Sequence, residues 1–260
     1  MLPILEAKNL TIGYTSRSQK QVIASAIDFQ LYPNKLISLL GLNGIGKSTL
    51  LRTLSGVQPL LDGEIFLDNK ALSSYTQADL ATLISVVLTE KIPTNQLTVH
   101  ELVALGRIPY TDWIGNLKDT DLALIQMALT ATETLQIQHK KITQISDGQL
   151  QKVLIARAIA QDTPIIILDE PSTHLDLYNK IMLFKLLKKL CQTQNKCILF
   201  STHDMDLALQ MSDELLLMRP QGLLHGSTDA IIESAVLDSL FDDPSIRFNK
   251  EQKRFILDPL

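Results

Sequence analysis

Short apolar runs standing alone between polar or turn-forming residues mark strands buried on both faces. Such runs occur at Ile37–Leu40, Val86–Leu88, Ile165–Leu168, Ile198–Phe200 and Leu215–Met218. Between them the apolar spacing turns helical, over Thr49–Leu54 after a glycine-rich turn, over Gln149–Ala160, and over about Leu177–Leu190, where Ile181, Phe184 and Leu187 recur turn by turn. Strands alternating with helices predict a parallel sheet with right-handed crossovers. The N-terminal part reads differently. Leu5–Ile12 and Val22–Leu31 suit paired strands around a polar loop at Thr15–Gln21, with Glu64–Leu67 joining them as an antiparallel flank. From about Ile92 to Ile145 the pattern is mostly helical, and Asp121–Leu135 sets Leu122, Ile125 and Leu129 on one core-facing stripe. An inserted helical subdomain is expected there. The tail after Gly222 is amphipathic, and its charged stretch Asn249–Arg254 reads as a solvated hairpin tip.

A chain of 260 residues is long enough for one large core with a subdomain. With 45% apolar and 20% charged residues it belongs with folded soluble proteins. The net charge of −4 gives no basic excess for broad contact with a nucleic-acid backbone. Cys191 and Cys197 cannot make a disulfide framework and read as small core residues in a reducing compartment. No apolar run reaches the roughly 18 residues of a membrane span. The opening MLPILEAKNL has none of the marks of a signal peptide, so a cytoplasmic protein is expected.

The sharpest chemical signal is GLNGIGKST, Gly41–Thr49. It fits G-x-x-x-x-G-K-[ST] and stands where a phosphate-binding loop must, after a buried strand and before a helix. Gly41, Gly44 and Gly46 let backbone N–H groups, those of Leu42, Asn43 and Ile45 among them, fold inward around phosphate oxygens. The helix that follows begins at the anion, so its dipole favours negative charge. Lys47 neutralises the β- and γ-phosphates of a nucleotide, and the Ser48 hydroxyl suits Mg²⁺. The second signal is IIILDEPS, Ile165–Ser172, where an apolar strand delivers two acids to the sheet edge that binds ligands. Asp169 suits the Mg²⁺ shell, and Glu170 suits a base that deprotonates water.

Between these motifs stands ISDGQLQKVLIARAIAQ, Ile145–Gln161. With it the chain, its last thirty residues apart, resembles the ATP-binding subunit of an ABC-type importer. ELVALGRIPYTDW (Glu101–Trp113) and LDEPSTHLDL (Leu168–Leu177) bring it nearest to the subunits serving iron-chelate, haem and cobalamin uptake. The resemblance implies an α/β P-loop NTPase core over about residues 1–91 and 160–260, with the helical subdomain over about 92–159. It implies ATP and Mg²⁺ as ligands and ATP hydrolysis as the reaction. It also implies a homodimer of ATPase subunits, membrane permease subunits, a substrate-binding protein acting indirectly, and a place on the cytoplasmic face of the membrane.

Position by position, Tyr14 matches the aromatic that stacks on adenine. Ser146, Gly148 and Gln149 match the signature that closes on the γ-phosphate from the other subunit. Read physically, Ser146 starts a helix, and its hydroxyl with free N–H groups forms a second anion site. Leu175 and Asp176 match the loop crossing the dimer interface, and His203 in FSTHD matches the histidine that contacts the γ-phosphate and the base. His100, His139, His174 and His225 show no metal-ligand spacing. Two positions depart from the family pattern. Thr89 stands where a glutamine is expected, beside Glu90, so that either a water-mediated contact from Thr89 or Glu90 itself reaches the metal. Asp147 replaces a glycine of the signature, favourable for the helix dipole but carboxylate-bearing. Iron–siderophore import is the leading expectation, haem or cobalamin import the alternative. A non-transport ABC ATPase acting on nucleic acid or ribosomes is the competing class. Such proteins usually carry two ATPase units or a long coiled coil, and this chain shows neither.

Overall fold

The computed structural model describes residues 2–16, 19–88, 96–234, 236–238, 240, 243 and 245–257. The N-terminal half comprises β1 (Leu5–Ser16), β2 (Gln19–Leu31), β3 (Lys35–Leu40), α1 (Lys47–Leu54), β4 (Asp62–Leu67), β5 (Lys70–Ala71), α2 (Gln77–Leu83) and β6 (Ile84–Val87). A helical stretch follows, with α3 (Val99–Ala104), a 3-10 turn at Leu105–Tyr110, α4 (Asp119–Ala131) and α5 (Asp147–Ala160). The chain then alternates through β7 (Ile165–Leu168), α6 (Leu177–Gln194), β8 (Cys197–Ser201), α7 (Met205–Met211) and β9 (Glu214–Arg219). It ends with β10 (Gly222–Ser227), α8 (Thr228–Glu233), β11 (Ile246–Asn249) and β12 (Arg254–Leu257).

The main sheet has the order β10-β9-β3-β8-β7-β6. Its inner pairs are parallel, and only β10 runs antiparallel, as a hairpin with β9. Period-two alternation explains why its central strands are apolar on both faces over most of their length. Ile165, Ile167, Cys197 and Leu199 point into the core shared with the N-terminal sheet and α1, whereas Ile166, Leu168, Ile198 and Phe200 point into the core under α3–α6. The smaller sheet, β2-β1-β4-β5, is antiparallel as its alternating pattern requires. Its β1–β2 ribbon pairs out to Ser16↔Gln19. Thr15, Ser16 and Gln19–Gln21 of the stretch expected as the polar loop are therefore strand, and Thr15, Gln19, Lys20 and Gln21 are polar because they stand exposed on a water-facing ribbon.

The helical stretch corrects one further detail. Ile125 and Leu129 of α4 are buried as the periodicity requires, but Leu122 is 45% exposed and Asp121 takes the buried place beside it. The reason is an ion pair. Arg107 donates from Nε to Asp121 Oδ1 at 2.9 Å and from Nη1 to the Ala160 and Gln161 carbonyls at 2.8 and 3.1 Å. Its guanidinium lies 4.0 Å from the centroid of the Tyr110 ring. One cation thus binds the first turn of α4 to carbonyls that the end of α5 cannot satisfy internally. The charged segment Asn249–Arg254 spans the tip of the β11–β12 hairpin.

Candidate active site

β3 delivers the chain to Gly41 at the C-terminal edge of the main sheet. There φ is +150°, and a Cβ would stand 2.7 Å from the Met218 carbonyl oxygen, so only glycine makes the turn. Gly46, at φ +111°, caps α1, and a Cβ on it would meet Ile23 at 2.4 Å. Lys47 opens the helix and turns back into the loop, where Nζ donates to the carbonyls of Gly41 at 2.8 Å and Leu42 at 3.2 Å. It is buried, and that burial pulls its pKa below the ordinary lysine value, while Glu170 and Asp169 act in the opposite sense. Ser48 and Thr49 follow on the first turn of α1. The Tyr14 hydroxyl is 2.8 Å from Thr49 Oγ1, and its ring is 43% exposed above the loop.

β7 ends beside this loop and presents the acids. Asp169 is buried, and its backbone N–H donates to the Val87 carbonyl at 2.7 Å. Glu170 adopts φ +51°, a left-handed conformation that costs a residue with a Cβ about 1–3 kcal/mol. A neighbouring strand holds both. Ser201, the last residue of β8, accepts from the Glu170 N–H at 2.9 Å and donates to Asp169 Oδ1 at 2.7 Å. His203 Nε2 lies 2.5 Å from Glu170 Oε1. Asp204 fixes the far side of the same loop, accepting from Ser172 Oγ and Lys180 Nζ, each at 3.1 Å. The resulting cleft encloses about 410 Å³, with Tyr14, Lys47, Ser48, Thr49, Glu170 and His203 on its walls.

Asn43, Gly44 and Gly46 also line that cleft, whereas Gly41 and Leu42 face a neighbouring groove and Ile45 packs partly against the core. Ser146, Gly148, Gln149 and Asp176 are not on its walls. Ser146 caps α5, with its Oγ accepting from Gln149 N–H at 3.3 Å and its own N–H donating to Gln149 Oε1 at 3.1 Å. Asp147 follows on the exposed first turn. Gly148 lies against the loop before α6, since a Cβ there would sit 3.1 Å from the His174 carbonyl. Asp176 caps α6, accepting from Asn179 N–H at 2.8 Å, a bond that holds its carboxyl below the usual range. Leu175 is buried next to it. Thr89 and Glu90 lie outside the described residues.

Ser201 and Ile23 are site residues that the sequence reading does not single out. A hydroxyl ending the apolar run CILFS, at the sheet edge where Asp169 also ends its strand, is the signal available for Ser201. Ile23, on β2, gives none. Of the remaining histidines, His225 pairs with Glu214 at 3.0 Å. Both cysteines are buried, which pushes the Cys191 thiol up to about 12 and also raises Cys197. Among the described residues no group of three or more His, Cys, Asp or Glu is placed to hold a metal by itself.

A family model described as ABC transporter matches residues 24–173. The achromobactin transport ATP-binding protein of Dickeya dadantii is 32% identical over 92% of this chain and 87% of its own. The iron(3+)-hydroxamate import ATP-binding protein of Bacillus subtilis is 32% identical over 91% of this chain and 87% of its own. Among solved structures, an inward-facing ABC transporter described as metal-chelate type superposes with a TM-score of 0.78 at 29% identity, covering 98% of this chain and 95% of that one.

Proposed function

Because this chain belongs to the ABC transporter family, as an ATP-binding subunit, we propose that it powers the import of iron–siderophore complexes through separate membrane permease subunits. It is an ATPase of that family. The observation that carries it is the pairing of Glu170 with His203 at the mouth of the Lys47 cleft.

In this reading the adenine stacks on Tyr14 and the phosphates lie along the N–H groups of Gly41–Thr49. Lys47 exchanges its bonds to the loop carbonyls for bonds to the β- and γ-phosphates. The donors near the metal position suit a hard cation, since the Ser48 hydroxyl and the Asp169 carboxylate are both oxygen ligands. Ser201 holds that carboxylate in one orientation. Mg²⁺, when bound there, neutralises developing phosphate charge. Glu170 takes a proton from water as the water attacks the γ-phosphorus, and the bond to the bridging oxygen breaks to leave ADP and phosphate. His203 orients Glu170 and contacts the γ-phosphate.

Two copies close head to tail, each covering the other's γ-phosphate with Ser146, Gly148, Gln149 and the Asp176 loop. The core (about 1–91 and 160–260) and the helical subdomain (about 92–159) move as units in this closure. The exposed apolar side chains of Leu105, Ile108, Trp113 and Ile114 support a permease dock on the helical side of the core. No helix among the described residues is long and apolar enough to cross a membrane. Attachment to the cytoplasmic face of the membrane therefore rests on that dock, and the substrate-binding protein acts only through the permease.

The relatives named for achromobactin and iron-hydroxamate transport support a siderophore cargo over haem or cobalamin. Growth of a deletion strain on single iron sources tests this. Growth is expected to fail on ferric siderophore, to return with the intact gene, and not to return with Glu170→Gln. Normal growth on every siderophore, with failure on haem or cobalamin, overturns the cargo assignment.

A further inference from the structure

The C-terminal β11–β12 hairpin takes no part in the nucleotide site proposed above. It is firmly placed. The Phe248 and Phe255 rings meet edge-on at 5.2 Å, and the Phe255 N–H donates to Asp206 Oδ1 of α7 at 3.3 Å. Lys250 donates to the Glu233 carbonyl at 2.8 Å, and Lys253 pairs with Asp229 at 3.0 Å, both at α8. So held, β12 forms one wall of a groove of about 910 Å³ whose opposite wall is the phosphate loop itself. Leu42 and His203 stand on the loop side, Ile246, Ile256 and Leu257 on the hairpin side, and Leu177 at one end. Leu257 is 74% exposed and Leu177 64%.

The groove is continuous with the face that carries the cleft, so whatever closes the cleft also passes over the groove. A second copy of this chain brings a matching segment. Gly148 lies against the carbonyl of His174, so the signature and the start of α6 form one surface. A partner that sets Ser146–Gln149 over Lys47 thereby carries its own Leu177 and Tyr178, 64% and 66% exposed, to the place beside it. The groove is mixed: Leu42, Met205, Ile246, Ile256 and Leu257 offer apolar contact, and Asp204 and Asp206 offer acceptors. That suits a leucine beside a tyrosine with a hydroxyl to donate, the latter among the residue types that dominate interface energies. We infer that the β11–β12 hairpin is part of the dimer interface, walling a socket that receives Leu177 and Tyr178 of the partner copy when ATP closes the dimer. This inference rests on the head-to-tail dimer proposed above.

The test uses the full chain carrying Glu170→Gln, which is expected to bind ATP without turning it over. Chains with Leu257→Cys are mixed with chains carrying Tyr178→Cys and treated with a short bis-maleimide. The native Cys191 and Cys197 are buried, with their thiols held protonated, and stay silent. A product of twice the chain mass is expected with ATP and not without it. Sedimentation should show Leu257→Asp weakening ATP-dependent dimerisation by about tenfold or more. Since Leu257 is exposed in the free chain, this substitution leaves the fold intact, and Tyr178→Ala gives a second measure from the other side. Dimers that form with ATP but give no cross-link, and that tolerate Leu257→Asp, overturn the inference while leaving the dimer standing. A parent chain that never dimerises with ATP overturns the dimer and this inference together.

Discussion

The chemistry turns on a few side chains held by unequal means. Glu170→Gln keeps the shape of the base but cannot accept a proton, so ATP should still bind while turnover falls by about 10²–10⁴. Turnover within a few-fold of the parent would remove Glu170 from that role. Ser201 never touches the nucleotide in this reading, yet it aims Asp169 and supports the left-handed backbone of Glu170. Ser201→Ala should lower turnover by about tenfold and raise the Mg²⁺ concentration needed for half-maximal rate, since one hydrogen bond to a charged group contributes about 1.5–3 kcal/mol. Ser201→Thr should restore both. An unchanged Mg²⁺ requirement would reduce Ser201 to packing. Lys47 carries a pH signature. Burial lowers its pKa in the free chain, and a bound polyphosphate raises it again, so binding takes up a proton at pH values between the two. ATP affinity should therefore fall as pH rises through the free-chain value, below the onset set by an ordinary lysine. Calorimetry in buffers of different ionisation enthalpy reads the uptake, and its absence throughout the alkaline range would contradict this picture.

At the level of elements, the helical stretch depends on polar pairing as well as on apolar packing. The Arg107–Asp121 pair is almost fully buried and also satisfies the last carbonyls of α5. Removing one partner strands the other's charge, so Asp121→Ala should cost about 3–5 kcal/mol, read as a lower denaturant midpoint. A loss below about 1 kcal/mol would mean that water replaces the carboxylate. The Lys118 backbone N–H, and after it Arg107, hold the Asp121 carboxyl below its usual range. A depressed carboxylate stabilises the fold above its unfolded pKa, and that contribution is lost as pH falls through the folded value. The acid limb of the stability curve should accordingly shrink in Asp121→Asn. Helix α5 ends at this clamp, which links the stability of the helical stretch to the element carrying Ser146.

For the whole molecule, the Lys47 loop lines the cleft from one side, while Ser146–Gln149 lies off the cleft on the same chain, so an ATP bound as proposed is covered from one side only. Completion of the site is therefore expected across two chains. Chains carrying Lys47→Ala, mixed with chains carrying a bulky Ser146→Phe substitution in a Glu170→Gln background, separate the alternatives. Sharing in trans leaves one site with both parts sound and the other with both defects. Completion within one chain leaves a defect in every site. ATP retained on the mixed dimer should therefore recover to at most one site per dimer, and no recovery in dimers shown to form would refute sharing.

Much of this was legible along the chain, because both motifs are local. The phosphate loop needs glycines, a lysine and a helix start within nine consecutive residues, and the acids need only an apolar strand before them. The runs of the main sheet were legible for a related reason: strands buried on two faces are mostly apolar, with small hydroxyls such as Ser38, Ser85 and Ser201 as the exceptions, and the two cores took alternate residues of the same run. What remained hidden depended on contacts distant in sequence. Ser201 reaches Asp169 and Glu170 across 32 and 31 positions, and Arg107 reaches Ala160 across 53. A polar residue at a strand end or in a helical turn looks the same whether it meets water or a buried partner. For that reason the strand residues Thr15, Ser16 and Gln19–Gln21 resemble a loop in sequence, and Leu122 resembles part of the buried stripe. Sequence determined which chemistry the chain can host; the tertiary fold decided which hydroxyl steadies the acids and which surface borders the cleft, because only folding brings separate segments into contact.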